Sequence, residues 1–400
     1  LGPVAWSGQR AVDLLVLVLR ILHHSIALCG LLSPRLHCNE VVEAGIGDSM
    51  SSTKKLGHGF ALGKFMPLHE GHLHMLHFAQ MSCHKMTIMV CSLPDDPIPG
   101  TVRFDWMKQM FPNANVVHHS AIIQQEPNGP DDTRFWDTWK KAVEDVCFPT
   151  DFDAVFGSED YGWKLAETLD CEYIPVNRER TMVPTSGTAV RSNPMKNWQF
   201  IPVVCRPYFV QRFAILGPES SGKSTLTEAL GKQFSTVAVH EYARPYFDEL
   251  TRIGKRTNGE FLLEDLHHVA RGQDVTEDSL AYRANRVMFC DTDSLTTKVW
   301  TKALYNAEIE WLNKDALDRK YKMTFVLDPR DVPFDPDDGK RVMPDIQVRL
   351  DFMNILISEL VRAKRDYKVI RGTFQERLEK VTKIVLESIN EEFSPISYNN

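Results

Sequence analysis

The sequence predicts an α/β protein in which two domains, each built on a parallel sheet, follow one another along the chain. Three observations predict this class. Two separate glycine-containing turns each lie between a short apolar strand and a helix, and strand and helix patterns alternate around both of them. The 400 residues are 43% hydrophobic and 25% charged, which is typical of a globular protein of two or more domains.

The later turn covers residues 217–225, G-P-E-S-S-G-K-S-T, and matches G-x-x-x-x-G-K-[ST] at every fixed position. A strand is predicted over residues 209–216 and a helix over residues 226–234, the context in which this motif binds the phosphates of a nucleoside triphosphate. Lys223 is expected to reach the β- and γ-phosphates, and the Ser224 hydroxyl to bind Mg²⁺. The predicted ATP-binding residues of this loop are Gly217, Ser220, Ser221, Gly222, Ser224 and Thr225.

The earlier turn covers residues 63–72, G-K-F-M-P-L-H-E-G-H, between a predicted strand at 59–62 and apolar residues at helical spacing. Gly71 allows close approach of the backbone, and His72 falls in the first helical turn, where the helix dipole favours an anion. His69 and His72 can therefore both face one polyphosphate. The other predicted site residues of this turn are Gly63, Lys64 and Phe65.

The H-x-G-H order of His69, Gly71 and His72 resembles the nucleotidyltransferase superfamily, whose Rossmann-like sheet binds ATP. Residues 185–191, T-S-G-T-A-V-R, resemble a second element of that superfamily, I-S-x-T-x-x-R, with a threonine in place of the usual apolar first residue. The resemblance implies that the phosphates of ATP are held by Ser186, Thr188 and Arg191. Without the first motif, the second would be interpreted as an ordinary helix N-cap.

The order of these elements resembles the NadR-type family, in which a nicotinamide-nucleotide adenylyltransferase domain precedes a ribosylnicotinamide kinase domain. Further segments that carry the resemblance are residues 157–162, 206–209, 241–244, 270–273 and 291–293. The resemblance covers about residues 56–390 and implies a Rossmann-like nucleotidyltransferase domain at 56–206 and a P-loop kinase α/β domain at 207–400. Residues 1–55 are expected to be an N-terminal extension that is disordered or comes from translated upstream sequence.

The first domain is expected to join NMN to ATP. The NMN phosphate that attacks the α-phosphate is already an anion, so no general base is needed; the protein must hold two anions together and stabilise charge on the leaving pyrophosphate. The resemblance assigns this role to His69, His72, Lys64 and Arg191, with Mg²⁺ between phosphates. Trp136 is expected to stack on the nicotinamide ring, with Tyr161 nearby, although core packing would explain either aromatic residue equally well.

The second domain is expected to phosphorylate nicotinamide riboside. A ribose hydroxyl is a weak nucleophile, so a carboxylate should orient it or accept its proton. Glu241, Asp291 and Asp293 end predicted strands, where side chains point into the ligand crevice of a parallel sheet. Asp291 is expected to hold Mg²⁺, and Glu241 and Asp293 to meet the substrate hydroxyls, unless they are simply surface carboxylates at loop starts.

Three further parts of the predicted kinase site follow from the resemblance. Tyr242 and Arg244 are implied as substrate-binding residues. Residues 328–341 resemble a kinase lid, rich in proline and containing a glycine. Arg330 and Arg341 in this lid are expected to touch the γ-phosphate. Phe334 stands where relatives usually carry tryptophan, which leaves nucleobase contacts of the lid open.

Composition limits the class of partners. The net charge of −7 and the pI of about 6.1 give no basic footprint for nucleic acid, and charged residues interrupt the apolar run at 11–32, which disfavours a membrane span. The eight cysteines form no C-x-x-C pair, as expected for reduced thiols of a cytoplasmic enzyme. The predicted partners are ATP, NMN and nicotinamide riboside, with homo-oligomerisation left open.

Two other functions remain open at this stage. One is a different fusion of a nucleotidyltransferase with a kinase, acting on pantetheine phosphate or a flavin precursor; residues 206–207 and 241–244 argue against it. The other is a regulatory protein that binds ATP or NAD and catalyses little. The intact Lys223, His69, His72 and Arg191 argue against a loss of catalysis.

Overall fold

The computed structural model describes residues 55–129, 132–257, 260–336, 341 and 343–390. The predicted N-terminal extension, apart from Lys55, and residues 337–340 of the predicted lid lie outside the described residues. The described residues contain two five-stranded sheets, and every strand pair in both is parallel. The predicted α/β class with two parallel sheets is confirmed. Within the part of the chain that the structure describes, no helix is both long and apolar enough to span a membrane.

The first sheet has the strand order β3-β2-β1-β4-β5. Its strands are β1 Leu56–Gly63, β2 Cys83–Cys91, β3 Asn115–His119, β4 Ala154–Gly157 and β5 Glu172–Pro175. Its helices are α1 Glu70–Ser82, α2 Gly100–Met110, α3 Thr133–Val146, α4 Tyr161–Thr168 and α5 Gly187–Ser192. The strand order reverses between β1 and β4, and such a switch point opens a crevice at the carboxyl ends of the strands.

The second sheet has the strand order β10-β9-β6-β8-β7. Its strands are β6 Gln211–Leu216, β7 Ala238–Val239, β8 Val287–Asp291, β9 Met323–Leu327 and β10 Tyr367–Ile370. The helices of this half are α6 Arg206–Phe209, α7 Lys223–Gln233, α8 Ala243–Arg252, α9 Leu263–Ala281, α10 Ser294–Tyr305, α11 Glu310–Asp318, α12 Ile346–Arg362 and α13 Phe374–Asn390. Strand β6 lies in the middle, fully buried from Phe213 onward, and carries the residue 217–225 loop at its carboxyl end.

Several predicted element boundaries are wrong. The strand before the later loop begins at Gln211, because Arg206–Phe209 forms a short helix with proline in its first turn. Strand β7 ends at Val239, so Glu241 follows it in a loop instead of ending it. The second motif contains helix α5. Ser186 caps the N-terminus of this helix, and its side chain accepts a hydrogen bond from the Ala189 amide.

One apolar cluster contains residues from both sheets, including Ile88 of β2 and Cys290 of β8. Trp106 of α2 packs edge-on against Tyr208, with ring centroids 5.5 Å apart, and lies 6.3 Å from the ring of Phe209. The Arg286 guanidinium, just before β8, donates a 2.7 Å hydrogen bond to the Met195 carbonyl. The predicted boundary between residues 206 and 207 therefore falls inside a packed connector.

Candidate functional sites

The first cavity lies at the switch point, where Gly63 ends β1 and Gly157 ends β4. It has a volume of about 1120 Å³, whereas single small-molecule sites occupy about 300–1,000 Å³, so it has room for a nucleotide and a second small ligand. The structure brings together every residue predicted for the first site. The lining includes Gly63, Lys64, Phe65, His69, Gly71, His72, Trp136, Tyr161, Ser186, Thr188 and Arg191.

The two histidines form a stacked pair at the start of α1. His69 is the N-cap, and its Nδ1 accepts a 3.3 Å hydrogen bond from the His72 amide. The two imidazole rings lie nearly parallel, with centroids 3.7 Å apart. A Cβ atom at Gly71 would lie 3.0 Å from the ring of His69, so a side chain at this position would press on that ring.

Both histidines are held neutral. Burial lowers the pKa of His69 to about 4, and the positive charges of Arg180 and Arg191 act in the same direction. Burial also lowers the pKa of His72 well below its usual value, with His69 and Arg180 contributing. Two buried atoms, Nδ1 of His72 and Oγ1 of Thr185, have no hydrogen-bond partner among the described residues. The cavity therefore combines arginine charge with open polar atoms, which suits a polyphosphate.

Arg191 connects the two motifs of this site. Its guanidinium donates to the Met66 carbonyl in the first motif and, over 3.1 Å, to Oγ1 of Thr188 in the second. A Cβ atom at Gly187 would lie 2.8 Å from the Met66 carbonyl oxygen, so only glycine lets α5 approach the first motif this closely. The two sequence motifs thus fold into one site although they are far apart in the chain.

Sequence reasoning missed three charged residues of this site. Arg180 lines the cavity and is a source of the positive charge at the histidines. Arg103, fully buried, donates to the carbonyls of Ile98 (2.9 Å) and Lys64 and pairs with Asp96. Asp96 also lies 3.3 Å from Nζ of Lys64, so the Arg103–Asp96 pair holds the lysine loop in place. An arginine within an amphipathic helix gives no sequence signal for this role.

The predicted aromatic residues differ in their surroundings. Trp136 is partly exposed and lines the cavity. Tyr161 lines it as well, and its hydroxyl donates a 3.3 Å hydrogen bond to the Leu62 carbonyl. Trp139 is mostly buried, and its indole N–H donates to the Gln124 carbonyl over 3.1 Å. Trp136 and Tyr161 are thus the more accessible aromatic surfaces.

The second cavity surrounds the loop that follows β6. Gly217 and Gly222 adopt positive φ angles of 150° and 86°, and a Cβ atom at Gly217 would lie 2.9 Å from the Leu327 carbonyl oxygen. Nζ of Lys223 donates to the Pro218 carbonyl within the loop over 3.1 Å. All predicted loop residues line this cavity, namely Gly217, Ser220, Ser221, Gly222, Lys223, Ser224 and Thr225.

Asp291 ends β8 next to Thr292, which lines the cavity. It is buried, and neither carboxylate oxygen has a hydrogen-bond partner among the described residues. Burial raises the pKa of Asp291 to about 6; Lys223 opposes this shift and Glu241 adds to it. A buried carboxylate without a partner costs stability unless a cation or proton joins it, so this position is suited to a metal ion.

Besides Asp291, three residues that we predicted for the second site do not line its described cavity. Asp293 is fully buried as the N-cap of α10, accepts a 3.0 Å hydrogen bond from the Thr296 amide and pairs with Arg365. The ring of Tyr242 packs on Gly272 of α9. Arg330 pairs with Asp328. The structure thus gives all three residues packing or capping contacts in place of the predicted ligand contacts.

The remaining predicted residues do reach the cavity. Glu241, Arg244 and Arg341 line it, beside apolar side chains such as Phe247 and Trp300. Arg341 donates a 2.7 Å hydrogen bond to Oγ of Ser220 in the loop. Arg341 and Asp335 of the predicted lid segment, whose backbone amide also donates to Oγ of Ser220, therefore lie against the phosphate loop.

The comparisons with known proteins agree with the fold. Residues 212–377 match the AAA domain family. Two relatives are each 26% identical to the chain and aligned over 84% of both lengths: the trifunctional NAD biosynthesis/regulator proteins NadR of Escherichia coli (strain K12) and of Salmonella typhimurium (strain LT2).

Two solved structures of a NadR protein have the same fold. One is in complex with NR and has a TM-score of 0.67 at 19% identity; the other is in complex with NAD and AMP-PNP and has a TM-score of 0.66 at 19% identity. Each comparison covers 86% of this chain and 100% of the other. The fold defines a nucleotide-binding α/β protein with two parallel sheets. The chain is similar to NadR proteins over most of its length, and the NadR-type resemblance predicted from its motifs is confirmed.

Proposed function

We propose that the chain carries out two successive steps of NAD biosynthesis. The second domain phosphorylates nicotinamide riboside with ATP, and the first domain joins the resulting NMN to a second ATP, giving NAD and pyrophosphate. One observation carries the proposal: two separate cavities, each lined by a predicted phosphate-binding motif, occur on one chain that aligns over 84% of its length with NadR relatives, which are named for NAD biosynthesis.

In the first cavity, the roles follow from charge and position. Arg191 and Lys64 would hold the phosphates of ATP, with the neutral histidines His69 and His72 as hydrogen-bond partners. An anion bound there would favour protonation of the imidazoles, which places positive charge where the leaving pyrophosphate develops negative charge. Trp136 would offer a face to the nicotinamide ring of NMN. No general base is required, because the attacking phosphate is already ionised.

In the second cavity, the loop amides and Lys223 would hold the β- and γ-phosphates. Glu241 would orient the 5′-hydroxyl of the riboside and accept its proton, and the apolar side chains beside it would cover the nicotinamide ring. Asp291 and Ser224 fit Mg²⁺, because the buried carboxylate has unused oxygens and carboxylate and hydroxyl oxygens suit this ion. Bound Mg²⁺ would supply positive charge between the transferred phosphates.

The test uses the purified chain with ATP and Mg²⁺, and with either nicotinamide riboside or NMN, the products being separated by chromatography. Lys223→Ala should abolish riboside phosphorylation and leave the conversion of NMN to NAD intact, whereas His72→Ala should do the reverse. Lys232→Ala and His77→Ala, exposed positions on the same two helices, are the matched controls. If folded Lys223→Ala also lost adenylyl transfer, the assignment of one activity to each cavity would fail. If the chain turned over pantetheine phosphate or a flavin precursor faster than nicotinamide riboside and NMN, the proposed substrates would be wrong.

A further inference from the structure

Helix α9 carries the segment Ala270-Arg271-Gly272-Gln273, which contributed to the family resemblance but has no role so far. Gln273 is almost fully buried, and it lines the second cavity. Its side-chain oxygen accepts a 2.9 Å hydrogen bond from the Tyr242 amide, and its side-chain nitrogen lies 3.4 Å from the Asp291 carbonyl oxygen. One side chain thus bridges the residue after Glu241 and the residue at the end of β8.

The preceding residue of the helix strengthens this connection. A Cβ atom at Gly272 would lie 2.1 Å from the ring of Tyr242, so the tyrosine packs directly on the helix at a position that only glycine allows. Strand β7 has two residues and ends before His240. Glu241 therefore lies beyond the ladder of the sheet, and the contacts of Tyr242 with α9 hold the adjacent backbone.

We propose that Gln273 is a positioning residue of the kinase site, which fixes the Glu241 backbone relative to Asp291. The amide of Gln273 is suited to this task because it has an acceptor for the Tyr242 N–H and a donor for the Asp291 carbonyl. Buried hydrogen bonds of this kind hold functional groups within the narrow limits that catalysis needs. The inference rests on the proposed function of the second cavity, and it assigns no contact between Gln273 and substrate.

The test compares Gln273→Met, which removes both hydrogen bonds, with Gln273→Glu, which keeps the acceptor for Tyr242. Ser279→Ala, on the exposed side of the same helix, is the control. Gln273→Met should lower kcat for riboside phosphorylation about tenfold or more, the scale of misplaced catalytic groups, and raise the riboside KM. The ATP KM and the adenylyl transfer rate should stay within about twofold of wild type, since neither depends on the Glu241 backbone. The riboside KM of Gln273→Glu should lie between those of wild type and Gln273→Met.

A second readout does not depend on activity. Amide hydrogen exchange at Tyr242, followed by mass spectrometry, should be faster in Gln273→Met than in wild type and close to wild type in Gln273→Glu. If the wild-type chain phosphorylates no riboside, the proposed function fails. The exchange rates still test whether the Gln273 hydrogen bonds hold the backbone at Tyr242. Unchanged exchange at Tyr242, or an equal rise of the ATP and riboside KM values, would overturn the positioning role.

Discussion

The guanidinium of Arg377, on the last helix, donates a 2.8 Å hydrogen bond to the carbonyl of Ser221 in the phosphate loop. The same side chain donates to the carbonyls of Asp328, where the lid segment begins, over 2.8 Å, and of Gly372 over 2.7 Å. Arg377 is 3% exposed. One buried cation thus fixes the phosphate loop, the base of the lid and the start of α13 relative to one another.

Replacing Arg377 should disturb nucleotide binding through this connection. Arg377→Met leaves three carbonyls without their donor, and each lost buried hydrogen bond costs about 1–3 kcal/mol. We expect a lower Tm, a raised ATP KM for riboside phosphorylation and an unchanged ATP KM for adenylyl transfer. Arg362→Met, on the exposed face of α12, is the control. Wild-type ATP KM values in folded Arg377→Met would show that the loop keeps its shape without the arginine.

Gly71→Ala should separate stability from activity in the first site. The new methyl group meets the ring of His69 at 3.0 Å and must push it from its stacked position, while alanine is favoured over glycine in a helix by about 1 kcal/mol. We therefore expect adenylyl transfer to fall about tenfold or more, with a Tm equal to or above that of wild type. Gly129→Ala, which meets no atom within 4 Å, serves as the control. Full adenylyl transfer by Gly71→Ala would argue against a role for the His69 ring position.

The histidine pair should make stability depend on pH. The pKa of His69 falls from 6.5 to about 4 on folding, so between these values the unfolded chain binds a proton that the folded chain does not. Stability is then present above pH 6.5 and is lost as the pH falls toward 4. The loss from this group is at most about 3.5 kcal/mol, from about 1.4 kcal/mol per pKa unit.

Urea unfolding of wild type and His69→Gln at pH 7 and pH 5 would measure this effect. We expect the free energy of unfolding to fall less between the two pH values in the variant than in wild type. His77→Gln, an exposed position on the same helix, should behave as wild type does. Equal pH dependence in all three proteins would contradict a buried, neutral His69.

Asp291→Asn should stabilise the free protein while it impairs the kinase. The pKa of Asp291 is raised by burial to about 6, so the folded state loses stability as the pH rises from about 4 through 6 and the carboxylate ionises. At pH 8 without Mg²⁺, the uncharged variant should have the higher Tm. In wild type, added Mg²⁺ with nucleotide should raise the Tm more than in the variant.

Riboside phosphorylation by Asp291→Asn should fall about a hundredfold and respond weakly to Mg²⁺. Asp318→Asn, exposed at the end of α11, is the control for the lost charge. A Tm below that of wild type in Mg²⁺-free buffer would mean that the ionised carboxylate has a stabilising partner after all.

The features that were predicted best from the sequence are those that depend on short, contiguous segments. Gly217 and Gly222 have positive φ angles in the phosphate loop, and Gly63 and Gly71 lie in one short motif that lines the first cavity, so these motifs predicted both the strand–turn–helix units and the cavities. Asp291 and Asp293 show where such reasoning stops. Both follow the same strand and carry the same local signal, yet only the structure shows that Asp293 caps a helix and pairs with Arg365, far along the chain.

The contacts that could not be predicted are long-range. Arg377 reaches a loop 156 residues earlier, and Arg191 reaches Met66 across 125 residues. Such pairs form only when the packing of helices on the sheets brings remote segments together, and a single arginine in an amphipathic helix is otherwise an ordinary surface residue. Arg180 and Arg103 escaped sequence analysis for the same reason, whereas Gln273 lies in the segment 270–273 that carried the resemblance but received no role from it.

The packing of Trp106 on Tyr208 and Phe209 limits how this chain could change over generations. Cutting the gene between the two sheets would leave a large apolar face on each product, and exposed faces of this kind promote aggregation. A lineage that needed only one of the two cavities would therefore keep both sheets and lose the other cavity by substitution at a loop. In a related protein that has lost one activity, we expect both sheets to be present, with a glycine, lysine or histidine of the inactive cavity replaced.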